Sequence, residues 1–306
     1  MPPGAPAQNT PARHYLTGRS DNFGPKGSAD PAQARFDPEG VRVSADGKSV
    51  FVSDEYGPYL RRFDRATGRL IRTYALPADL AVFSQSPNGK AEISGNASGR
   101  TANKGMEGLA ITPDGETLVG MMQEALLQDA GDPASARLLR IVTVDVKTGA
   151  AREYGYKLTA GSGVSEIVAI NSHEFLVDER DGKGLGDKSA AKVKQLFRID
   201  IAGAKDITGL KGAEAAASLV QKSAAPVLDI VAALAAHGVA ADQVPAKIEG
   251  LAFGPDVRWQ GKAFHTLFIA NDNDFVPDES GPNRFFVFGF ESSDLPRFVA
   301  QTISKP

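Results

Sequence analysis

Apolar positions in this chain fall in short alternating runs broken by turn residues, the pattern of β-strands rather than of long amphipathic helices. One phrase organises them. A Glu-Gly-apolar start recurs as Asp37-Pro38-Glu39-Gly40-Val41-Arg42-Val43, Met106-Glu107-Gly108-Leu109-Ala110-Ile111 and Ile248-Glu249-Gly250-Leu251-Ala252-Phe253. A variant, Ser165-Glu166-Ile167-Val168-Ala169-Ile170, stands between the second and the last. Three copies run into a turn, Asp46-Gly47, Asp114-Gly115 or Pro255-Asp256, and the other has Asn171-Ser172-His173 there. A second apolar run follows each turn and ends in Ser53-Asp54-Glu55, Met122-Gln123-Glu124, Val177-Asp178-Glu179 or Ala270-Asn271-Asp272. Two runs joined by such a turn predict a β-hairpin. A hairpin brings the start of its first strand beside the end of its second, so Glu39 is expected near Asp54 and Glu55, and Glu107 near Glu124. Glu166 is likewise expected near Asp178 and Glu179, and Glu249 near Asn271 and Asp272.

Each interval holds further strands. Tyr59 to Phe63 and Leu70 to Tyr74 flank Thr67-Gly68; Leu138 to Val146 and Arg152 to Leu158 flank Thr148-Gly149; Gln195 to Ile201 and Arg284 to Phe290 follow in the last two intervals. Four antiparallel strands per repeat describe a β-propeller blade, and four blades are legible. Residues 13–306 are read as one all-β propeller domain. If its hairpins are arranged radially, Glu39, Glu107, Glu166 and Glu249 fall on one face around a common axis, with the acidic strand ends beside them. Residues 84–105, rich in Gly, Ser and Asn, read as a loop insertion. Residues 211–244 are Ala-rich and read as a helical insertion, with a helix over 226–234 closed near Gly238. Residues 1–12, rich in Pro and Ala, read as disordered, and Tyr15-Leu16-Thr17 as the last strand of a blade whose beginning is absent.

The 306 residues carry a net charge of −3, which argues against broad nucleic-acid binding. No apolar run is long enough to span a bilayer. The absence of cysteine excludes disulfides, thiolate-bound metals and a thiol nucleophile. No Gly-x-Ser-x-Gly elbow is present, and His14, His173, His237 and His265 follow no ligand or triad spacing. Gly182-Lys183-Gly184-Leu185-Gly186 lacks the spacing of a phosphate loop, and Asn271-Asp272-Asn273-Asp274 lacks the rest of an EF-hand.

The phrases Phe36-Asp37-Pro38-Glu39-Gly40, Ser53-Asp54-Glu55-Tyr56-Gly57-Pro58, Lys104-Gly105-Met106-Glu107-Gly108-Leu109 and Lys247-Ile248-Glu249-Gly250-Leu251 resemble the phytase-like family known for the esterase-like activity of phytase. The resemblance covers roughly residues 14–290. It implies an exported bacterial protein, periplasmic or extracellular, with a propeller related in shape to six-bladed calcium-dependent phytases. Members carry an earlier Gly-Gly-Leu-Ser-Gly-type repeat that is absent here. The chain is therefore expected to lack an export signal and at least one N-terminal blade of its parent.

Calcium suits the oxygen-rich inventory: Glu39, Asp54, Glu55, Glu107, Glu124, Glu166, Asp178, Glu179, Glu249 and Asp272 are the candidate ligands, with Asn271 beside them. The alternative is that each Glu bonds backbone N–H groups of the next blade. For a small anionic ester substrate, Glu55, Glu107 and Arg180 are the catalytic candidates, and Lys104, Arg180, Lys183 and Arg284 the groups expected to hold phosphate. The expected function is calcium-dependent hydrolysis of phosphoric esters by a monomer. A calcium-dependent carboxylesterase or lactonase and a non-catalytic ligand- or protein-binding propeller are the alternatives.

Overall fold

In a computed structural model, Thr10, Arg13, residues 27–30 and residues 35–304 are described. The expected disordered start, apart from Thr10, and the expected strand at Tyr15-Leu16-Thr17 lie outside the described residues. The chain divides into two compact units, one of residues 1–157, 203–220 and 301–306, the other of residues 158–202 and 221–300. Together they contain four blades of an all-β propeller fold, two in each unit.

The first blade is β1 (Pro38–Val43), β2 (Ser49–Asp54), β3 (Leu60–Asp64) and β4 (Leu70–Tyr74), paired antiparallel in chain order. After the short helix α1 (Gly89–Ser94), the second blade repeats this order as β5 (Met106–Ile111), β6 (Thr117–Met122), β7 (Leu138–Asp145) and β8 (Ala151–Lys157), with helix α2 (Leu127–Ala130) between β6 and β7. The turns form for a local reason. Asp46 and Asp114 each accept hydrogen bonds from the hydroxyl two residues before and the amide two residues after, while Gly47 and Gly115 take the positive φ that the turn demands. Asp64 and Asp145 cap the β3–β4 and β7–β8 turns in the same manner, each accepting from the amide and hydroxyl of the following Thr.

The core of this unit lies between its two sheets. Phe51, Leu60 and Tyr74 of the first blade pack against Met106, Leu109, Ile111 and Val142 of the second. Gly40 allows the closest approach, since a Cβ there would come within 2.6 Å of the Leu109 Cβ. Replacing Gly40 with valine should force the blades apart and lower the melting temperature, a result that a thermal scan reads directly. Helix α3 (Gly212–Ala216) and the segment around it cover the outer edge of the second blade, where the Ile207 and Val220 amides donate to Glu153 and Gly155.

In the other unit, β9 (Gly163–Ala169), β10 (Glu174–Arg180) and β11 (Lys194–Asp200) pair in order, and two-residue strands β12 (Gln221–Lys222) and β13 (Leu228–Asp229) share the far edge of β11. The next blade is built around the long β16 (Lys262–Asn271), which pairs with β14 (Ile248–Phe253) and β15 (Val257–Trp259), and with β17 (Phe285–Phe290). Leu251, Leu267 and Phe290 of this blade pack on Val168, Leu176 and Leu196 of its neighbour.

The insertions differ from the sequence reading. Residues 84–105 include α1, capped by the Asn88 side chain on the Ala91 amide. The helix expected over 226–234 is α4 (Ile230–Ala235) instead, because Leu228 and Asp229 pair with β11 and the Asp229 side chain then caps the helix through the Ala232 amide. A last short helix, α5 (Pro277–Ser280), precedes β17.

Candidate functional site

A β-bulge fixes where each repeated Glu sits. Met106 opposes Met122 and Gly108 opposes Met121, so Glu107 is the extra residue. Glu249 is the extra residue between Ile248–Asn271 and Gly250–Ala270, and Glu39 precedes Gly40 at the corresponding break in β1. In the remaining blade Val164 opposes Glu179 and Glu166 opposes Asp178, which makes Ser165 the bulged residue. The sequence phrase aligned Glu166 with the other three glutamates, and the pairing register corrects that alignment by one residue. Bulges commonly re-aim a side chain beside a functional site.

In the first unit, carboxylates of Asp37, Glu39 and Glu55 converge, with one oxygen of each within 4.8 Å of the others. Backbone pairing builds this cluster, because the Glu55 amide donates to the Asp37 carbonyl at 3.0 Å. Asp37 and Glu39 point to one side by the two-residue period of extended chain; Asp37, absent from the candidate ligands, could have been found from that spacing in Asp-Pro-Glu. Burial, followed by the charge of Asp37, pushes the Glu55 carboxyl up to about 7, with Lys104 and Arg100 opposing.

Asp54 is otherwise engaged. It accepts from the amides of Asp37 at 2.7 Å, Tyr56 at 3.0 Å and Gly57 at 2.6 Å, and so shapes the turn that carries Glu55. Burial nevertheless raises its carboxyl to about 6. Glu107 is buried and accepts from the Gln123 side chain at 2.9 Å. Lys104 and Glu124 lie 3.9 Å apart, each about one-third exposed. Gly105 brings these residues against the cluster, since a Cβ there would stand 1.9 Å from the Glu55 carbonyl oxygen. Gly105→Ala should displace Glu55 and destabilise the protein by more than a typical 1 kcal/mol substitution, measured by chemical denaturation.

The insertion expected as a plain loop supports this phrase from behind. Arg100, wholly buried, donates to the Tyr56 carbonyl at 2.6 Å and to Glu92 at 2.6 Å. The Arg35 guanidinium lies 4.0 Å from the centre of the Tyr56 ring.

In the second unit, Arg180 donates to Glu249 at 2.6 Å. Burial raises the Glu249 carboxyl, and Arg180 opposes it. Glu179 accepts from the Thr159 and Ala160 amides and from the Lys222 ammonium, which holds the strand entering β9. Asp178 is fully buried beside Ser165, whose hydroxyl oxygen lies 3.1 Å away. Glu166 folds back to accept from the Ile167 amide. Asp272 accepts from the Asp274 amide and lies 4.0 Å from Lys247, while Asn271 accepts from the Arg284 amide and leaves the Arg284 side chain exposed. Lys183 is exposed and 3.4 Å from Asp187. Its glycine-rich loop wraps the buried Lys194, whose ammonium donates to the Asp181 carboxylate and to the Asp181 and Lys183 carbonyls. His173 and His265 sit beside Asp200 and Asp256 at 2.8 Å, and among the described residues no histidine joins an acidic metal-type cluster.

A secreted protein of uncharacterised role from Arthroderma benhamiae is 29% identical over 222 residues, which is 61% of this chain and 42% of that protein. The chain thus spans less than half the length of this relative. Two solved structures align with much of the chain at low identity. The Cps50 (Swd1) β-propeller domain of Myceliophteria thermophila is 11% identical, with 83% of this chain and 56% of that one covered and a TM-score of 0.33. Hydrazine synthase of Kuenenia stuttgartiensis is 12% identical, with 84% and 64% covered and a TM-score of 0.30. A family profile described as esterase-like activity of phytase matches residues 10–275, and this chain belongs to that phytase-like family.

Proposed function

We propose that the protein is an exported, calcium-dependent hydrolase of phosphoric esters, with its metal site at Asp37, Glu39 and Glu55. The convergence of these three carboxylates carries the reading. Their chemistry fits a hard divalent cation: the donors are all oxygen, one is buried and two reach solvent, and positive charge would offset the burial and the Asp37 charge that raise Glu55. Bound there, calcium would supply charge for phosphate oxygens and lower the pKa of a coordinated water.

The chain's own groups then divide the work. Asp54 fixes the turn that carries Glu55, and Glu55 would ligate the cation as its carboxylate. Lys104 is near enough to Glu55 to oppose its burial and is partly exposed, so it is placed to receive a phosphate oxygen. Arg180, already bonded to Glu249, serves first to hold that carboxylate. A multiply charged ester such as a phytate-like polyphosphate suits a site that joins a cation to a lysine. The secreted relative favours export, and among the described residues no helix is long and apolar enough to cross a membrane.

Calorimetric titration with calcium should show binding that Glu55→Gln weakens, and phosphate release from phosphomonoester and phytate panels should stop with chelator and fall with Lys104→Ala. Ester cleavage without phosphate release would move the assignment to carboxylic esters. Binding without turnover would make the site a ligand-binding one, and no binding at all would sink the metal site.

A further inference from the structure

We propose that Ser292, His265 and Asp256 form a serine hydrolase triad that cleaves uncharged carboxylic esters, a centre that shares no residue with the proposed cation site. The strands of the last blade build it. Val257 on β15 pairs with Phe264 on β16, which sets Asp256 beside His265. One position further along β16, the Thr266 hydroxyl donates to the Pro255 carbonyl at 2.8 Å and anchors that segment. His265 also pairs with Phe290 at the end of β17, two residues before Ser292. The turn carrying Ser292 is closed by the Asp294 amide on the Glu291 carbonyl at 2.9 Å and by the Glu291 amide on the Asp294 carboxylate at 2.8 Å.

The three side chains stand in the order that acyl transfer uses. Asp256 Oδ1 lies 2.8 Å from His265 Nδ1, and the Ser292 hydroxyl oxygen lies 3.5 Å from His265 Nε2. The acid keeps the proton on Nδ1 and leaves Nε2 to accept from serine. Phe298 packs on the imidazole, with ring centroids 4.4 Å apart, and holds its plane. The serine–histidine separation is longer than a formed hydrogen bond, as is common before a substrate binds. Ser292 is exposed, and rotation of its side chain can close the gap. Its partners lie 9 and 27 residues from one another along the chain through His265, which is why no local motif marked this histidine.

Charge selects the substrate. Asp256, Glu291 and Asp294 belong to the triad and its turn, and the Lys262 ammonium beside them is already bonded to Glu291 at 2.6 Å. A phosphate ester is repelled there and a neutral ester is admitted. Val257 and Trp259 on the adjoining hairpin are 46% and 68% exposed and offer apolar surface to an acyl or alkyl group.

In the first step Ser292 Oγ adds to the ester carbonyl carbon while its proton passes to His265 Nε2, and the carbonyl π pair moves onto oxygen. Among the described residues the Ser292 and Ser293 amides donate to no other group, so they are available to that oxyanion. Collapse breaks the bond to the alkoxy oxygen, which leaves as the alcohol with the proton from Nε2. Water then adds to the acyl-serine, giving a proton to Nε2, and Ser292 Oγ takes that proton back as the carboxylic acid departs.

The test is made on the whole protein in chelator. It should cleave p-nitrophenyl butyrate, and a fluorophosphonate should modify Ser292, the adduct being located by peptide mass spectrometry. Ser292→Ala, at an exposed position, should lose the adduct and lower kcat at least about 100-fold with the melting temperature unchanged. His265→Gln should lose as much. Asp256→Asn should lower kcat and the rate of labelling with KM unmoved, the split expected of a positioning residue. Absence of both cleavage and adduct, or cleavage undiminished in Ser292→Ala, would overturn the triad. Cleavage that appears only with added calcium would overturn it too, while leaving the cation site standing.

Discussion

Replacement of Arg100 with leucine should cost about 3–5 kcal/mol, the usual loss when one member of a buried ion pair is removed. Both side chains are wholly out of solvent, with the Arg100 guanidinium 2.6 Å from Glu92. Leucine leaves Glu92 charged in the interior with Arg35 at 3.9 Å as the remaining cation. It also removes the donor to the Tyr56 carbonyl, which fixes the turn after Glu55. The melting temperature should fall by roughly 10 °C on the scale of 2–4 °C per kcal/mol for a chain of this size, and the calcium response should fall with it. A double variant, Glu92→Gln with Arg100→Met, should lose less than the sum of the single changes, because the stranded charge is gone. If Arg100→Leu melts like the native protein, the insertion does not support the site.

That support was the least legible part of the sequence. Hairpins, turns and third strands could be read because each rests on local pattern: Asp-Gly at positive φ, Thr-Gly after a capping Asp, alternating apolar residues between them. The partners of Arg100 lie 8 and 44 residues away in the chain, at Glu92 and Tyr56, and the intervening Gly, Ser and Asn give no sign of a buried ion pair. Register is a different kind of failure. Ser165-Glu166-Ile167 looks like Met106-Glu107-Gly108 with one substitution, but a bulge adds a residue without marking which one it is. The pairing of Glu166 with Asp178 decides it, and Ser165 takes the bulged position. Similarly, period two places Asp37 beside Glu39, yet only the long-range pairing of the Glu55 amide with Asp37 brings the third carboxylate in. Many other carboxylates of the expected acidic face were visible as residue types, while their uses were not. Asp54 and Glu179 spend theirs on amides beside their own strands, not on amides of the next blade.

Asp178→Asn should stabilise the protein at pH 8 by clearly more than at pH 5. Asp178 is fully buried, and desolvation pushes its carboxyl up to about 7 in spite of Arg180, Ser165 and Lys194. Among the described residues, the one side-chain donor to Asp178 is divided between two acceptors. The Ser165 hydroxyl oxygen lies 2.7 Å from the Ile248 carbonyl and 3.1 Å from Asp178, and a hydroxyl carries one proton. The single Ser165 proton is thus shared between a nearer carbonyl and Asp178, which leaves little donation to offset the burial of the carboxylate. Between the ordinary Asp value of 3.8 and about 7, the folded protein holds a proton that the unfolded chain has released. Stability contributed by this group is therefore present at low pH and lost as pH rises through 7. Glu55, raised to about 7 in the absence of metal, and Glu153, buried and raised to about 7, add slopes of the same sign. Each tenfold change in proton affinity is worth about 1.4 kcal/mol, so removing the share of Asp178 should gain a few kcal/mol at pH 8, or roughly 5 °C or more in melting temperature. The measurement is a pair of thermal scans across pH in chelator, native against variant. A native protein equally stable at pH 5 and pH 8, together with a variant weakened at both, would mean that Asp178 is ionised in the fold and held by its cationic neighbours.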